Sequence, residues 1–324
     1  MVLAGLDNKD LKLIIFGGKG GVGKTSCAIA TAVGLSENFK TLLISTDPAH
    51  SVSDCLEQQI GFKVSKVEGV DNLSAIEVVA DEALSLFKGA HQNELKKLLK
   101  TSTNLDNEDI DDMLTLSIPG IDEIMSFKTI IDFIEEGDFD KYVVDTAPTG
   151  HVLRLIASPK MLDEWIKVAA KMRWKYRFMI TSFSGTYVKD DVDTFLLNLK
   201  KTVKRIENIL RDNTKCEFIS VCIPEAMAIS ETGRLLSDLS KSEIISRQII
   251  VNNVMVSNGC DFCKRRKAGQ LPYLQKISEM YSGLNKIEIP AFAEEIKGLH
   301  ALNQLKAFLF GDTTGKNYND DETN

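Results

Sequence analysis

Short apolar runs alternate with amphipathic segments along most of the chain. Seven of these runs are predicted to be buried strands, because several begin after a polar residue and end in Asp, Asn, Gly or Pro, as strands do when a functional loop follows. They span residues 11–16, 41–45, 73–78, 141–145, 217–223, 248–253 and 286–290. Because helical segments separate them, the pattern predicts a doubly wound α/β fold with a mainly parallel sheet, whose sites lie at the carboxyl ends of the strands.

Two stretches, residues 81–140 and 158–211, contain no convincing strand and are predicted to be helical. In the second stretch, apolar residues recur every three or four positions and mark one helix face. They are Leu162, Trp165, Ile166, Ala169, Met172, Tyr176 and Met179. We therefore expect one domain over residues 1–310, with a helical subdomain inserted into the sheet domain. The polar tail, residues 311–324, is predicted to be disordered.

The composition narrows the class of protein. A formal net charge of −7 argues against nucleic-acid binding, which requires a basic surface. The sequence shows neither a signal peptide nor an apolar run long enough to cross a bilayer. Six cysteines in 324 residues do not form a disulfide framework, so paired cysteines are interpreted first as metal ligands or redox groups. The composition predicts a soluble, cytoplasmic protein.

The segment FGGKGGVGKTS, residues 16–26, follows the first predicted strand and matches the phosphate-loop pattern G-x-x-x-x-G-K-[ST]. Glycines allow backbone N–H groups to converge on phosphate oxygens, Lys24 adds a full positive charge, and the Thr25 hydroxyl is suited to Mg²⁺. The fold is therefore predicted to be that of a P-loop NTPase that binds ATP and magnesium. The residues expected to hold the nucleotide are Gly17, Gly18, Lys19, Gly20, Gly21, Val22, Gly23, Lys24, Thr25 and Ser26.

A phosphate-loop enzyme also needs an acidic residue near Mg²⁺ and a group that orients the attacking water. Asp145 ends the predicted strand KYVVD, and it should lie beside the loop if that strand neighbours the first one. Asp47 ends the run TLLISTD. Each aspartate has an ordinary alternative interpretation as a helix cap or a turn residue.

Cys260 and Cys263 have the C-x₂-C spacing that lets two thiolates hold one metal ion. A closed zinc site needs four ligands, and the other cysteines form no second pair of this kind. Two chains that each contribute this pair would complete a Cys₄ zinc site on a two-fold axis. A free thiol pair and a redox C-x-x-C are the alternatives.

Several motifs occur in the order and at roughly the spacing of one known family. They are GGKGGVGKTS, STDPAHSVSD (45–54), PGIDEIMSF (119–127), DTAPTGHVLR (145–154), and VNN followed by CDFC. In these motifs, from about residue 11 to residue 310, the chain resembles the arsenite-pump and tail-anchored-protein-targeting ATPases.

The resemblance implies a dimeric ATPase and assigns further site residues. Lys19 matches the signature lysine of a deviant phosphate loop, which reaches the nucleotide of the other subunit. Asp47 matches the water-activating residue, so that Asp47, Lys19 and Lys24 form the implied catalytic set. Glu225 and Asn252 match positions that contact the nucleoside end. The last match, the segment 290–297 that begins at Pro290, corresponds to a loop that closes over the base.

The resemblance implies that the protein carries tail-anchored membrane proteins, whose transmembrane segments bind an apolar groove that ATP-driven closure of the dimer forms. Five of the nine methionines lie in the two helical stretches, which suits such a groove, although an ordinary helical core explains them equally well. We expect a homodimer, with higher oligomers left open, and a transient membrane receptor. An arsenite efflux ATPase and an iron–sulfur carrier ATPase are the alternative functions.

Overall fold

The structure, a computed structural model, describes residues 1–47, 51–102, 121–147, 159–171, 173–174, 178, 190–256 and 259–311. The strands of these residues form one sheet. In chain order they are β1 Leu13–Gly17, β2 Thr41–Ser45, β3 Ser65–Lys66, β4 Leu73–Glu77, β5 Lys141–Asp145, β6 Cys216–Cys222, β7 Gln248–Val254 and β8 Asn285–Pro290.

The strand order is β3-β4-β2-β5-β1-β6-β7-β8, and all pairs are parallel except β3 with β4. Strand β1 therefore has β5 on one side and β6 on the other. The carboxyl ends of the parallel strands meet at one edge of the sheet, where sites of doubly wound folds lie. This architecture confirms the predicted α/β class, and each of the seven predicted strands is present within one or two residues of its predicted bounds.

Helices occupy the connections between the strands. They are α1 Lys24–Ser36, α2 Ser51–Leu56, α3 Ala80–Ala90, α4 Gln92–Ser102, α5 Ile121–Glu136, α6 Asp191–Arg211, α7 Ala226–Lys241, α8 Asp261–Met280 and α9 Gly298–Phe310. Residues 159–171 are also helical.

The main core lies between the sheet and the pair α1 and α9. Helix α1 is rich in small residues and is buried over most of its length, so it can pack closely against both neighbours. A Cβ atom built on Gly34 would lie 2.4 Å from the Phe310 ring, which shows how near the two helices approach. This packing fixes the start of α1 at the edge of the sheet where β1 ends.

The chain divides into two compact units. One comprises residues within 1–78, 133–153 and 210–324, and it contains the sheet. The other comprises residues within 79–132 and 154–209, and its described residues contain helices without strands.

The helical unit has its own core and its own ion cluster. Phe87, His91 and Phe195 pack with ring centroids 5.0–6.0 Å apart and join the C-terminal end of α3 to α6. The guanidinium of Arg173 is buried and pairs with Asp190 at the start of α6. Buried Leu162, Ile166 and Ala169 show that the predicted apolar face is the inward face of residues 159–171. Met172, Tyr176 and Met179 of that face lie outside the described residues, as do the tail beyond residue 311 and Pro119–Gly120.

Candidate functional site

The loop between β1 and α1 is closely held by the strands beside it. A Cβ atom at Gly18 would lie 2.2 Å from the backbone oxygen of Val221, and one at Gly17 would lie 2.3 Å from the Phe218 ring. Neither position accepts a side chain without movement of β6. Gly23, at φ 91°, lies in the left-handed region that glycine favours and caps α1, which begins at Lys24.

Strand β7 also fastens the loop. The Asn252 amide nitrogen donates a 2.9 Å hydrogen bond to the backbone oxygen of Val22. A Cβ atom at Gly23 would lie 2.3 Å from the same nitrogen, so this position has room for glycine alone unless Asn252 moves. The loop is therefore held in one shape before any ligand binds, which is how a phosphate cradle avoids an ordering cost on binding.

Thr25, in the first turn of α1, contacts Asp145 at the end of β5. Its hydroxyl donates a 2.7 Å hydrogen bond to Asp145 Oδ2 and lies 3.3 Å from the Ser51 hydroxyl of α2. This contact follows from the predicted pairing of β1 with β5, which the sheet confirms. Asp145 is fully buried, and its Oδ1 has no hydrogen-bond partner among the described residues.

The charges around Asp145 suit a cation. Burial raises the pKa of Asp145 to about 7, whereas the Thr25 hydrogen bond and the Lys24 ammonium lower it and Asp47 raises it further. A buried carboxylate oxygen without a partner, beside a hydroxyl, is the kind of donor set that magnesium prefers. Thr25 and Asp145 therefore fit a Mg²⁺ ion, which the phosphate-loop motif predicts.

Lys24 is buried at the base of the loop. Its ammonium donates a 3.2 Å hydrogen bond to the backbone oxygen of Lys19. Burial lowers the pKa of Lys24, and the charges of Asp145 and Asp47 raise it in opposition. The structure thus brings the predicted phosphate-binding cation and both predicted aspartates into one electrostatic group. Lys19 itself is half-buried on the loop.

Asp47 follows β2 and is half-buried. Its backbone N–H donates to the Ser45 hydroxyl at 3.2 Å, and the preceding residue, Thr46, donates its N–H to the Asp145 backbone oxygen at 2.9 Å. These bonds hold the start of this segment against β5. Residues 48–50, which include His50, lie outside the described residues, as do residues 148–158 of the DTAPTGHVLR motif.

An open cleft of about 1010 Å³ lies over the loop, at the upper end of the size range of ligand sites. Most of the loop from Gly20 to Ser26 lines it, together with Asp47, Asn252 and Pro290. The segment after β8 contributes further lining residues, among them Phe292 and Ile296. Glu225, by contrast, is exposed at the start of α7 and is not among the lining residues.

Five lining residues, Ser51, Asp54, Cys55, Ile223 and Asn253, were not predicted from the sequence as site residues. Three of them belong to α2, which folds back against α1. The spacing along the motif STDPAHSVSD offers the one usable signal, because residues shortly after Asp47 must pass close to the loop.

Cys260 and Cys263 lie together at the start of α8. Their Sγ atoms are 3.1 Å apart, and Cys260 Sγ accepts a 3.3 Å hydrogen bond from the Cys263 N–H as the helix cap. The hydrogen bond with the Cys263 thiol lowers the pKa of Cys260 and raises that of Cys263. Cys260 is exposed, and no group of three or more His, Cys, Asp or Glu residues that could hold a metal ion occurs in the described part of the chain.

This pair fits half of a tetrahedral zinc site. Two thiolates bound to one zinc ion at about 2.3 Å lie a little under 4 Å apart, so a small side-chain rotation brings both sulfurs into position. The start of a helix also favours a thiolate.

Among the described residues, the helices lack the combination of length and apolar character that a membrane span requires.

Comparison with known proteins identifies ATPases, in agreement with the phosphate loop and the cleft above it. A model of the anion-transporting ATPase family matches residues 11–311. The chain is 33% identical over 315 residues to ATPase ASNA1 homolog 1 of Paramecium tetraurelia, with 93% of this chain and 92% of the relative covered. It is 37% identical over 322 residues to ATPase GET3 of Eremothecium gossypii, with 92% and 89% covered. It is 31% identical over 316 residues to ATPase get3 of Neurospora crassa, with 94% and 92% covered.

Proposed function

The chain belongs to the anion-transporting ATPase family and is an ATP hydrolase, as its motifs predict, and on this premise we propose that it uses ATP to carry tail-anchored membrane proteins through the cytoplasm to a membrane. The observation that supports the proposal most directly is the contact between Thr25 and the buried Asp145, with the Lys24 ammonium nearby. A hydroxyl, a carboxylate and a cation at the foot of one cleft are what phosphate-loop enzymes use to hold Mg²⁺ and nucleotide phosphates.

Each group of the cleft has a separate role in this proposal. The loop N–H groups and Lys24 bind the phosphates, and Thr25 with Asp145 holds Mg²⁺, which withdraws charge from the phosphate oxygens when bound. Asp47 orients the attacking water. Asn252 and Pro290, which line the cleft, contact the nucleoside end. Glu225 has the same proposed role, and because its side chain is exposed beside α7 it requires a movement to reach the nucleotide.

Lys19 is proposed to act on the nucleotide of a second copy of the chain. A cation near the γ-phosphate neutralises charge that develops in the transition state, as an arginine finger does. Lys24 already supplies the cation of its own loop, so a lysine from the partner copy would make hydrolysis depend on closure of a homodimer.

The same homodimer is proposed to hold one zinc ion through Cys260 and Cys263 of each copy. The two sulfurs are adjacent and close to the surface, and each copy supplies two of the four ligands that a structural zinc site needs. The zinc ion would stabilise the dimer and would take no part in hydrolysis.

The proposed client site is the helical subdomain, formed by residues 81–140 and 158–211 within a single ATPase domain over 1–310. Large apolar side chains are exposed on the described part of this subdomain. They are Leu86, Met161, Val168, Trp174, Phe178 and Leu197, each 41–71% exposed. Of these, Trp174 and Phe178 stack with ring centroids 6.1 Å apart. Exposed apolar patches are typical of surfaces that bind apolar partners, such as a transmembrane segment.

The decisive experiment asks whether the purified protein keeps a tail-anchored peptide soluble in the presence of MgATP. We expect soluble complex with wild-type protein and MgATP, and its loss with Lys24→Ala, which cannot hold the phosphates. Arsenite is added in parallel without peptide. Strong stimulation of ATP hydrolysis by arsenite, together with no peptide binding, would favour the efflux-pump alternative, and a brown protein that contains iron would favour the iron–sulfur carrier.

A further inference from the structure

The segment between β8 and α9 is far from the phosphate loop in sequence, and it forms much of the remaining wall of the cleft. Phe292, Ile296 and Lys297 line the cleft with Pro290, and Phe292 and Ile296 also pack against the main core. An aromatic ring, a branched aliphatic side chain and a proline provide the flat apolar surfaces that suit a nucleobase, whereas phosphates are bound by Lys24 and loop N–H groups.

One side chain holds this segment near the end that leads into α9. The Cys55 thiol donates a 3.3 Å hydrogen bond to the backbone oxygen of Ile296. Among the described residues, this is the one hydrogen bond that residues 292–296 make, because the neighbouring bond, from Ala291 N–H to the Val254 oxygen, precedes them. The segment therefore depends on Cys55 for its one polar attachment within the described chain.

Cys55 is well suited to this attachment because its helix is itself fixed. Val52 and Leu56 of α2 are buried in the core. Ser53 of α2 donates both its N–H, at 3.1 Å, and its hydroxyl, at 2.9 Å, to the buried carboxylate of Glu77 at the end of β4. A helix held in this way gives Cys55 a constant position relative to the sheet.

The thiol is also in the protonation state that a donor requires. Burial raises the pKa of Cys55 to about 11, and the Ser26 hydroxyl, 4.0 Å from the sulfur, lowers it only in part. The thiol therefore stays protonated at neutral pH, so Cys55 can donate a hydrogen bond and is a poor nucleophile.

We propose that Cys55 is a positioning residue, which holds residues 292–297 in the shape that recognises the nucleoside and leaves recognition of the phosphates unaffected. This inference rests on the proposed nucleotide cleft and names a residue that sets its specificity. Without the hydrogen bond, the segment must be ordered when the nucleoside binds, and that ordering weakens binding.

The test compares MgADP with magnesium pyrophosphate, which lacks the nucleoside, by calorimetry on Cys55→Ala and Cys55→Ser. S–H···O bonds are weak, so we expect Cys55→Ala to bind MgADP about two- to fivefold less tightly than wild type and pyrophosphate equally well. Cys55→Ser keeps a hydroxyl donor and should retain most of the MgADP affinity.

Two results would overturn the inference. One is unchanged MgADP affinity in Cys55→Ala. The other is an equal loss of affinity for MgADP and pyrophosphate, which would show that Cys55 acts through the phosphate loop or on folding in general. Failure of the wild-type protein to bind MgADP is a different result, which would contradict the proposed nucleotide cleft itself.

Discussion

Lys19 and Lys24 are five residues apart on one loop, yet they differ in burial and in their contacts. Lys24 is buried against Asp145 and Asp47, and its ammonium bonds the Lys19 backbone oxygen. Lys19 is half-buried and not among the residues that line the cleft of its own chain. This position supports the proposal that Lys19 acts on the nucleotide of a second copy of the chain.

We expect Lys19→Ala to bind MgATP with nearly wild-type affinity and to lose about 100-fold or more of its ATPase activity, because a transition-state cation is missing. A mixing experiment separates action in trans from action in cis. Neither Lys19→Ala nor Asp47→Asn should be active alone. After subunit exchange in equal amounts, activity should return to about a quarter of wild type, since half of the dimers would hold one complete site. No recovery would show that Lys19 serves its own subunit.

Lys141 illustrates a buried charge that serves the fold. Its ammonium, at the start of β5, donates to the backbone oxygens of Asn8 and Leu11 at 2.5 and 2.7 Å and lies 4.6 Å from the centre of the Phe39 ring. It thereby ties the N-terminal segment to the edge of the sheet opposite the cleft. Burial lowers the pKa of Lys141 from 10.5 to about 8, and the charge of Lys12 lowers it further.

The lowered pKa of Lys141 predicts a pH dependence. Between about pH 8 and 10.5 the unfolded chain binds a proton that the folded chain has released, so the contribution of Lys141 to the free energy of unfolding rises with pH in that window. Relative to Lys141→Met, wild type should gain about 2 kcal/mol between pH 7.5 and pH 10. Urea unfolding of both proteins at the two pH values measures this difference, in which other titrating groups cancel. A difference that does not change with pH would mean that Lys141 stays charged when folded.

Among the elements, the buried strands could be predicted from sequence because seven of them are short, mainly apolar runs with polar residues or turn formers at their ends. Strand β3 was missed, since its two residues, Ser65 and Lys66, are polar and pair only at the edge of the sheet. The meeting of Thr25 with Asp145 was also predictable, because both residues adjoin neighbouring parallel strands.

The rest of the cleft could not be predicted because it depends on how distant segments pack. Cys55 meets Ile296 across 241 positions of sequence, through the packing of α2 against α9, and no local pattern marks that contact.

The helix over residues 159–171 also could be predicted only in part. Its period of three to four indicated an apolar face, but burial of Leu162 and Ile166 with exposure of Met161 and Val168 shows that apolar residues lie on two faces.

The exposed face of the helix over residues 159–171 is predicted to bind the tail-anchored client. Met161 and Val168 are two turns apart, 47% and 53% exposed, and neither belongs to the buried core of the helix. The double variant Met161→Asp with Val168→Asp should therefore fold normally and hydrolyse ATP, and it should bind a tail-anchored peptide at least about tenfold more weakly, since each charge would have to be desolvated against an apolar client.

Peptide capture in MgATP measures this effect, and circular dichroism reports folding. The matched control is Phe62→Asp, an exposed apolar residue of the sheet unit that is 52% exposed. This control should capture peptide as wild type does. Equal capture by all three proteins would place the client elsewhere, whereas equal loss in the control would mean that added charge acts without regard to position.

At the scale of the whole molecule, two of the proposals each require a second copy of the chain. In the proposed zinc site, the Cys260 and Cys263 sulfurs are two of the four ligands, and no group of three or more potential ligands occurs within the described residues. In the proposed mechanism, Lys19, on a different part of the sheet unit, acts on the nucleotide of a second copy. One two-fold symmetric dimer would meet both requirements, because such an interface places the same surface of each copy against the other.

The proposed dimer predicts the stoichiometry and the stability of the assembly. Purified protein should contain about one zinc ion for two chains, and Cys260→Ser with Cys263→Ser should contain none and dissociate to monomers at micromolar concentration. Metal analysis and sedimentation measure both quantities. Cys55→Ser, a change at the one other cysteine that is not fully buried, should keep zinc and dimer. A zinc-free variant that stays dimeric would separate the two features, because the dimer that Lys19 requires would then be held together by other contacts.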